Sequence, residues 1–289
     1  DRFRRLVHRL ATGGGATAGG LWGSSVAFFL AALCRQAPAP ILIVVASDEA
    51  AEGLADDLRL FADAEPAVFP AWETAPGDEA FPGLAQSQRL ALLRELAAGP
   101  GGAGRPIIAA VHALLQPVPS PEALARGTLP LRVGERRRIE AVAEWLVERG
   151  LERVPMVEAA GQFSIRGGIL DVFALAATTP LRVEVLGDEI DSIRTFEVES
   201  QRSAERLGAC ELMALSGREV VQAAQGAARS LADLLPPGAW VCIHEPLEVQ
   251  ARADALLAQL GDSRELLAFE SLYAALSRRP MLHTYAVYT

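Results

Sequence analysis

From Leu181 to Val185 hydrophobic and polar residues alternate strictly, with Leu181, Val183 and Val185 on one face and Arg182 and Glu184 on the other. That period of two predicts a strand with one buried and one solvated face. Leu186 breaks the rule by falling on the charged face. An apolar side chain set among Arg and Glu on an outward face suits contact with a partner. Upstream, Phe163 and Ile165 point one way and Arg166 the other, just before Gly167-Gly168. The glycine pair allows a positive φ or a bulge, which re-aims the chain and leaves Arg166 projecting. The whole segment 163–203 reads as short strands broken by turns.

The flanking regions carry a different pattern. DRFRRLVHRL has helical spacing, with Phe3, Leu6, Val7 and Leu10 as its packing side; its arginines interrupt any apolar run that a signal peptide requires. A glycine-rich tract, 13–23, leads into an apolar helix near 24–34. PILIVVAS is a continuous apolar run of the kind found in buried parallel strands. DEAAEGLADDLRLF predicts a helix whose apolar side holds Leu54, Leu58, Leu60 and Phe61. VFPAWETAP predicts a short strand and turn, SQRLALLRELAAG a helix, and PIIAAVHALL a second buried strand running into a short helix. Alternation of strands with helices implies an α/β layer on a mostly parallel sheet. The three prolines of QPVPSPEAL mark a first boundary. After it come LRVGE and a helix in which Trp145, Leu146 and Val147 are expected to face the sheet. Beyond Ser203 the α/β character returns. REVVQAAQGAARSLADLL is expected to be helical, PPGAWVCIHEP a turn and buried strand, LEVQARADALLAQLG a helix, and FESLYAALSRRP a last helix stopped by Pro280.

Composition narrows the function. A chain of 289 residues with 51% hydrophobic residues has room for two or three folded domains. A net charge of −9 weighs against a nucleic-acid-binding surface as the main activity. The Arg136-Arg137-Arg138 cluster reads as a solvated helix start, with contact to an acidic partner as the alternative. Cys34, Cys210 and Cys242 are scattered in apolar contexts, as expected of reduced core thiols in a cytoplasmic protein. His8, His112, His244 and His283 lie far apart without metal-ligand spacing, so no metal is expected. No apolar run reaches eighteen residues, so no membrane helix is expected.

GQFSIRGGILDVF, then PLRVEVLGDEIDSIRTF, then ESQRS resemble in order and spacing the second domain shared by the excision-repair protein UvrB and the transcription-repair coupling factors (Mfd). The likeness is close over 138–203 and looser in the flanks. In that family the module binds UvrA, and by resemblance Arg166, Arg182, Glu184 and Leu186 fall on the contacting surface. Coupling factors often carry an aromatic residue where this chain has Leu186, which keeps the apolar contact but lessens its area. UvrB also has a P-loop, GxxxxGK followed by Ser or Thr, in which Lys reaches the terminal phosphates. The corresponding GGLWGSSVAFFLAAL has the glycines and the apolar helix but no Lys; all 27 basic residues of the chain are Arg. Arg does not reproduce that compact ammonium, so hydrolysis of ATP is not expected. The resemblance is therefore to the amino-terminal region of the coupling factors. It implies a degenerate P-loop, RecA/UvrB-like parallel-sheet domain split into 1–117 and 205–289, with an α+β module inserted at 118–204.

Other chemistry is weaker. Asp188, Glu189 and Asp191 follow Gly187 at an expected hairpin turn and read as solvated residues. His244-Glu245 ends a buried strand and is taken as structural. Gly13–Gly15 and Gly19, Gly20 and Gly23 offer at most weak anion binding by backbone amides. Arg194 and Arg202 extend the candidate patch, although Gln201-Arg202 also fits an end-of-strand feature. No catalytic residue and no cofactor is expected. The chain reads as a monomeric recruitment module, with RNA polymerase and DNA met through carboxy-terminal parts that lie outside it. The end at HTYAVYT is read as the end of a piece of a longer ATP-dependent translocase. The competing reading is a UvrB-like helicase fragment whose atypical P-loop still works; a scaffold unrelated to repair is a third.

Overall fold

The computed structural model describes residues 1–72, 84–99, 102–174, 177–215, 229–260 and 266–286. The chain divides into two compact units, one of residues 1–72, 92–118 and 224–289 and the other of 73–91 and 119–223.

The first unit opens with helix α1 (Arg2–Ala11), strand β1 (Ala16–Gly19) and helix α2 (Ser24–Cys34). Strand β2 (Ile41–Val45) is buried at all five positions, as a β-branched run covered on both faces should be. Helix α3 (Asp48–Phe61) starts where the Ser47 hydroxyl accepts the Ala50 amide at 3.2 Å, and Asp48 and Glu49 complement the positive end of its dipole. Ala51, Ala55 and Leu58 form its buried stripe, with Leu54 and Phe61 packed beside them. Leu60, expected on that stripe, is 76% exposed. Two positions beyond Leu58 rotate it about 200° around the axis, onto the far side. Strand β3 (Ala67–Phe69), helix α4 (Leu84–Ala98), strand β4 (Pro106–Ala110) and helix α5 (Val111–Leu115) follow, with the division between units falling inside α4.

In the second unit helix α6 (Pro121–Arg126) and strand β5 (Thr128–Arg132) precede helix α7 (Ile139–Glu148). Strands β6 (Glu152–Arg153), β7 (Gln162–Arg166), β8 (Ile169–Phe173), β9 (Leu181–Leu186), β10 (Glu189–Phe196) and β11 (Ser203–Leu207) then form one sheet in the order β11-β10-β9-β8-β7-β6. It is antiparallel except for the short β6–β7 pair. Strand β12 (Ala209–Met213) pairs antiparallel with β5, from Ala209 opposite Arg132 to Met213 opposite Thr128. That ladder carries the second unit past 204, where the sequence placed a boundary. Ile139, Val142 and Leu146 recur at helical spacing and seat α7 on Phe163, Leu170, Val172, Val183 and Ile193. Trp145 packs at the margin of this core, with the Arg149 guanidinium 4.2 Å from its ring centre. Val147, expected to face the sheet, is instead 56% exposed, because it follows Leu146 by only 100° of turn.

The chain then closes the first unit with helix α8 (Leu231–Leu234), strand β13 (Trp240–His244), helices α9 (Pro246–Leu260) and α10 (Phe269–Leu276), and strand β14 (Met281–Tyr285). Residues 218–228 of the helix expected before Leu235 lie outside the described residues, as do 73–76 of the expected strand and turn. The sheet of this unit runs β1-β14-β13-β2-β4-β3, and every pairing in it is parallel. Its two central strands from distant parts of the sequence, β2 and β13, meet with Ile41 opposite Trp240 and Ile43 opposite Cys242. Among the described residues no helix is long and apolar enough to cross a membrane.

Candidate protein-binding surface

Period-two alternation decides what the second sheet shows to solvent. Leu181, Val183 and Val185 enter the core, and Arg182, Glu184 and Leu186 turn outward. Register then brings residues from four strands together on that outer face, since directly paired residues share a side. One row runs Arg166, Ile169, Glu184 and Ser192; the next runs Ser164, Asp171, Arg182 and Arg194. The β7–β8 turn is as tight as its two glycines allow. Gly167 takes φ +61°, and a Cβ on Gly168 would stand 2.5 Å from the Val185 carbonyl oxygen, so only glycine fits there.

At the centre lies Asp171, a residue the sequence reading did not single out. It is 1% exposed, although it sits on the outward face. Arg182 grips it with two bonds, Nε to Oδ1 at 2.6 Å and Nη2 to Oδ2 at 3.0 Å, and Arg166 Nη2 reaches Oδ2 at 2.7 Å. A buried carboxylate needs such compensation. Donation of these hydrogen bonds to Asp171 in turn holds the Arg182 guanidinium above its ordinary pKa. Arg182 Nη1 also donates to the Gln201 carbonyl at 3.1 Å and lies 3.4 Å from Ser203 Oγ, while its Cζ stands 4.9 Å from the Phe196 ring centre. The Arg182 guanidinium is thus bonded within the chain on both of its edges.

Arg166 is placed differently. Its side chain is 54% exposed, and the bond to Asp171 is the one hydrogen bond that side chain makes among the described residues. Glu184 accepts the Ser192 hydroxyl at 2.8 Å and lies 3.8 Å from Arg194 Nη2. Leu186 is 71% exposed and Ile169 36%. The face thus presents the accessible guanidinium of Arg166, anchored on Asp171, together with two accessible aliphatic side chains. Gln201 takes φ +56° and donates through Nε2 to the Val157 and Val198 carbonyls at 3.0 and 2.8 Å. Those bonds make it a structural strut at the strand end rather than part of a contact patch; Arg202 next to it is exposed. Asp171 was open to discovery, because in ILDVF the same alternation that buries Leu170 and Val172 puts Asp171 beside Arg182.

The remaining candidates make contacts within the chain. Gly187 takes φ +64° in the hairpin turn that carries Asp188 and Glu189. The Arg137 amide donates to the Asp188 carbonyl at 2.6 Å, and Arg136 pairs with Glu189 through an isolated backbone bridge. Arg137 and Glu135 form an ion pair, and Arg138 lies 3.7 Å from Glu140. His244 Nδ1 meets Thr284 Oγ1 at 3.1 Å, and burial lowers its pKa. Burial raises the Cys34 and Cys242 thiols to about 12 and Cys210 to about 11, which disfavours the thiolate form of each.

The glycine-rich tract forms strand β1, a loop through Gly20 and Gly23 at φ +79° and +49°, and then α2. The Trp22 amide donates to Ser25 Oγ at 2.8 Å, and the Ser25 and Val26 amides donate to the Trp22 and Gly23 carbonyls. These amides are directed at the loop's own groups instead of outward into a phosphate cradle.

Residues 129–216, all within the second unit, match the family described as the UvrB interaction domain. Over 212 residues the chain is 41% identical to the transcription-repair-coupling factor of Mycobacterium tuberculosis, covering 68% of this chain and 17% of that protein. It is 34% identical over 246 residues to the protein of that name from Myxococcus xanthus, covering 80% and 20%, and 30% identical over 196 residues to that of Escherichia coli, covering 68% and 17%. The chain spans about a fifth of the length of the curated relatives it matches.

Proposed function

From a UvrB interaction domain in a chain homologous to part of the transcription-repair-coupling factors, we propose that the outer face of the second sheet recruits UvrA in transcription-coupled excision repair. The observation that carries the reading is the conjunction of Arg166, tethered to buried Asp171 yet 54% exposed, with Leu186 at 71% exposure in the same sheet. A guanidinium pre-positioned by an internal carboxylate loses little freedom on binding, and an exposed aliphatic side chain on the same face helps to exclude water from the contact. Glu184 adds a carboxylate for a cation on the partner, and Arg182 works from below by keeping Asp171 in place.

The first unit is a UvrB-like nucleotide fold that does not hydrolyse ATP. Its strand, glycine loop and helix have the P-loop order, but no Lys stands in the loop and the amides of Trp22, Ser25 and Val26 are spent on the loop itself. In this reading RNA polymerase is engaged by parts of a longer protein outside this chain, and UvrB competes for the same face of UvrA.

Calorimetric titration with purified UvrA tests the proposal. Saturable binding that Arg166→Ala weakens at least about tenfold, with the fold intact by circular dichroism, is the expected result. Absence of binding by the unsubstituted chain would refute recruitment by this face. The strand, glycine loop and helix order also keeps a second reading in play, an ATP-using helicase fragment. A rise in melting temperature on adding magnesium and ATP would favour that reading; none is expected.

A further inference from the structure

Helix α1 joins the core of the first unit through Phe3, Leu6 and Val7 and the fully buried Leu10. At 100° per residue these occupy one side of the helix, and Arg2, Arg4, Arg5, His8 and Arg9 fill the opposite arc, all five exposed. Two other exposed arginines of the unit are matched, Arg35 with Asp63 at 2.9 Å and Arg59 with both Asp56 and Glu65, whereas Arg252 of α9 stands exposed with no ion pair among the described residues. Among the described residues no carboxylate lies within 4.0 Å of Arg2, Arg4, Arg5 or Arg9. The helix itself contains no acidic residue, so in a chain of net charge −9 it is a segment of +4, and the remainder carries −13. Like charges three and four positions apart disfavour a helix slightly. A chain with acidic residues to spare leaves this face uncompensated.

Arg4 and His8 border a groove that also includes Phe3, Val7, Ala11 and Gln36. Arg2, Arg5 and Arg9 stand clear of it as a ridge, with Arg2 and Arg9 about 10 Å apart along the axis at roughly 1.5 Å per residue. The ridge has no large apolar side chain between its arginines. A protein partner would need such a side chain at the centre of the contact. Phosphates do not, and duplex DNA offers one negative charge per roughly 1.7 Å of axis.

We propose that the Arg2–Arg5–Arg9 ridge of α1 docks on the phosphate backbone of duplex DNA. The contact reads charge and spacing and carries no base specificity. It does not depend on the UvrA surface, which belongs to the other unit. It gives this chain its own hold on the duplex, beside whatever the rest of a longer protein supplies.

Fluorescence anisotropy of a labelled duplex, followed across a salt series, provides the test. The unsubstituted chain should bind at low salt, and Arg2→Gln/Arg5→Gln/Arg9→Gln should lose affinity about tenfold or more. The slope of log K against log salt should fall by about 2.7, three contacts at roughly 0.9 each. Arg136→Gln/Arg138→Gln, the other basic cluster, should bind as the unsubstituted chain does. If the triple variant does not fold, Arg5→Glu alone supplies the same comparison. No binding at low salt, an unchanged slope in the ridge variant, or equal displacement by a glutamate-rich peptide of matched charge would each overturn the proposal, the last in favour of an acidic protein partner.

Discussion

The two sheets of this molecule solve burial in opposite ways. In the first unit β2 and β4 are buried at every position, and β13 at all but His244. Helices over both faces of a parallel sheet require this, so no side chain of those strand interiors can meet a partner. In the second unit β9 alternates between buried and accessible positions, and only one face of its sheet is given to the core with α7. Recognition chemistry therefore has a place on the second sheet that the first cannot offer. The first unit has only its loops, strand ends and outer helix faces, which is where the glycine loop and the arginines of α1 are found. Asp171 shows the cost of the second arrangement: a carboxylate on a nominally outward face is buried and must be held by two arginines.

A charge placed on each sheet should break them unequally. Val44→Asp puts an unpaired carboxylate at a position 1% exposed in a central strand, and should cost the first unit more than about 4 kcal/mol. Ile169→Arg, on the outer face opposite Glu184, should change the second unit by less than about 1 kcal/mol. Urea unfolding can separate them by fluorescence, because Trp145 reports on the second unit while Trp22, Trp72 and Trp240 belong to the first. Equal losses would mean that the outer face of the second sheet is not free.

Within the second unit the next largest effect separates the two arginines that the sequence treated alike. Arg182→Ala leaves the buried Asp171 without its two-bond partner and should cost about 3 kcal/mol of stability. Asp171→Ala should cost a similar amount, and the double substitution much less than the sum, since both remove one interaction. Additive losses in that cycle would show that the pair is not the strut it is taken for. Arg166→Ala should shift stability by under about 1 kcal/mol and reduce affinity for UvrA by about 2 kcal/mol, roughly thirtyfold. A loss of binding that tracks the loss of stability in all three variants would reduce Arg166 to a structural residue as well.

How much of this could be read from the chain follows from the same contrast. Period two in LRVEVL assigned each residue of β9 its face, and the apolar run of β2 announced a buried parallel strand. Those signals are local. What escaped depends on pairing between distant segments. MLHTY lies between β1 and β13, yet its alternation resembles that of an edge strand, and it was read only as a chain end. Strand β12 belongs with β5, over seventy residues earlier, and nothing in ACELM names that partner. Asp171 needed the β8–β9 register before it could be set between two arginines. Leu60 and Val147 failed for a simpler reason, since an apolar residue next to a buried one on a helix points elsewhere.

The smallest predicted effect tests the edge of the surface. Leu186 lies beside the Gly187 turn, 71% exposed, and pairs across the hairpin with Glu189, so its side chain has solvent around it and no core to disturb. Replacing it should leave stability within about 0.5 kcal/mol. Affinity for UvrA should respond in both directions. Leu186→Phe brings on the order of 30 Å² more apolar surface, worth about 0.8 kcal/mol at roughly 25 cal/mol per Å² and about fourfold in Kd. Leu186→Asp should weaken binding by more than that gain, because it removes the apolar cover and sets a carboxylate next to Glu184. If neither substitution moves the Kd while Arg166→Ala does, the contact is confined to the Arg166 side of the sheet and Leu186 lies outside it. If both move it as expected, the exposed apolar residue that broke the alternation in the sequence is the water-excluding part of the interface.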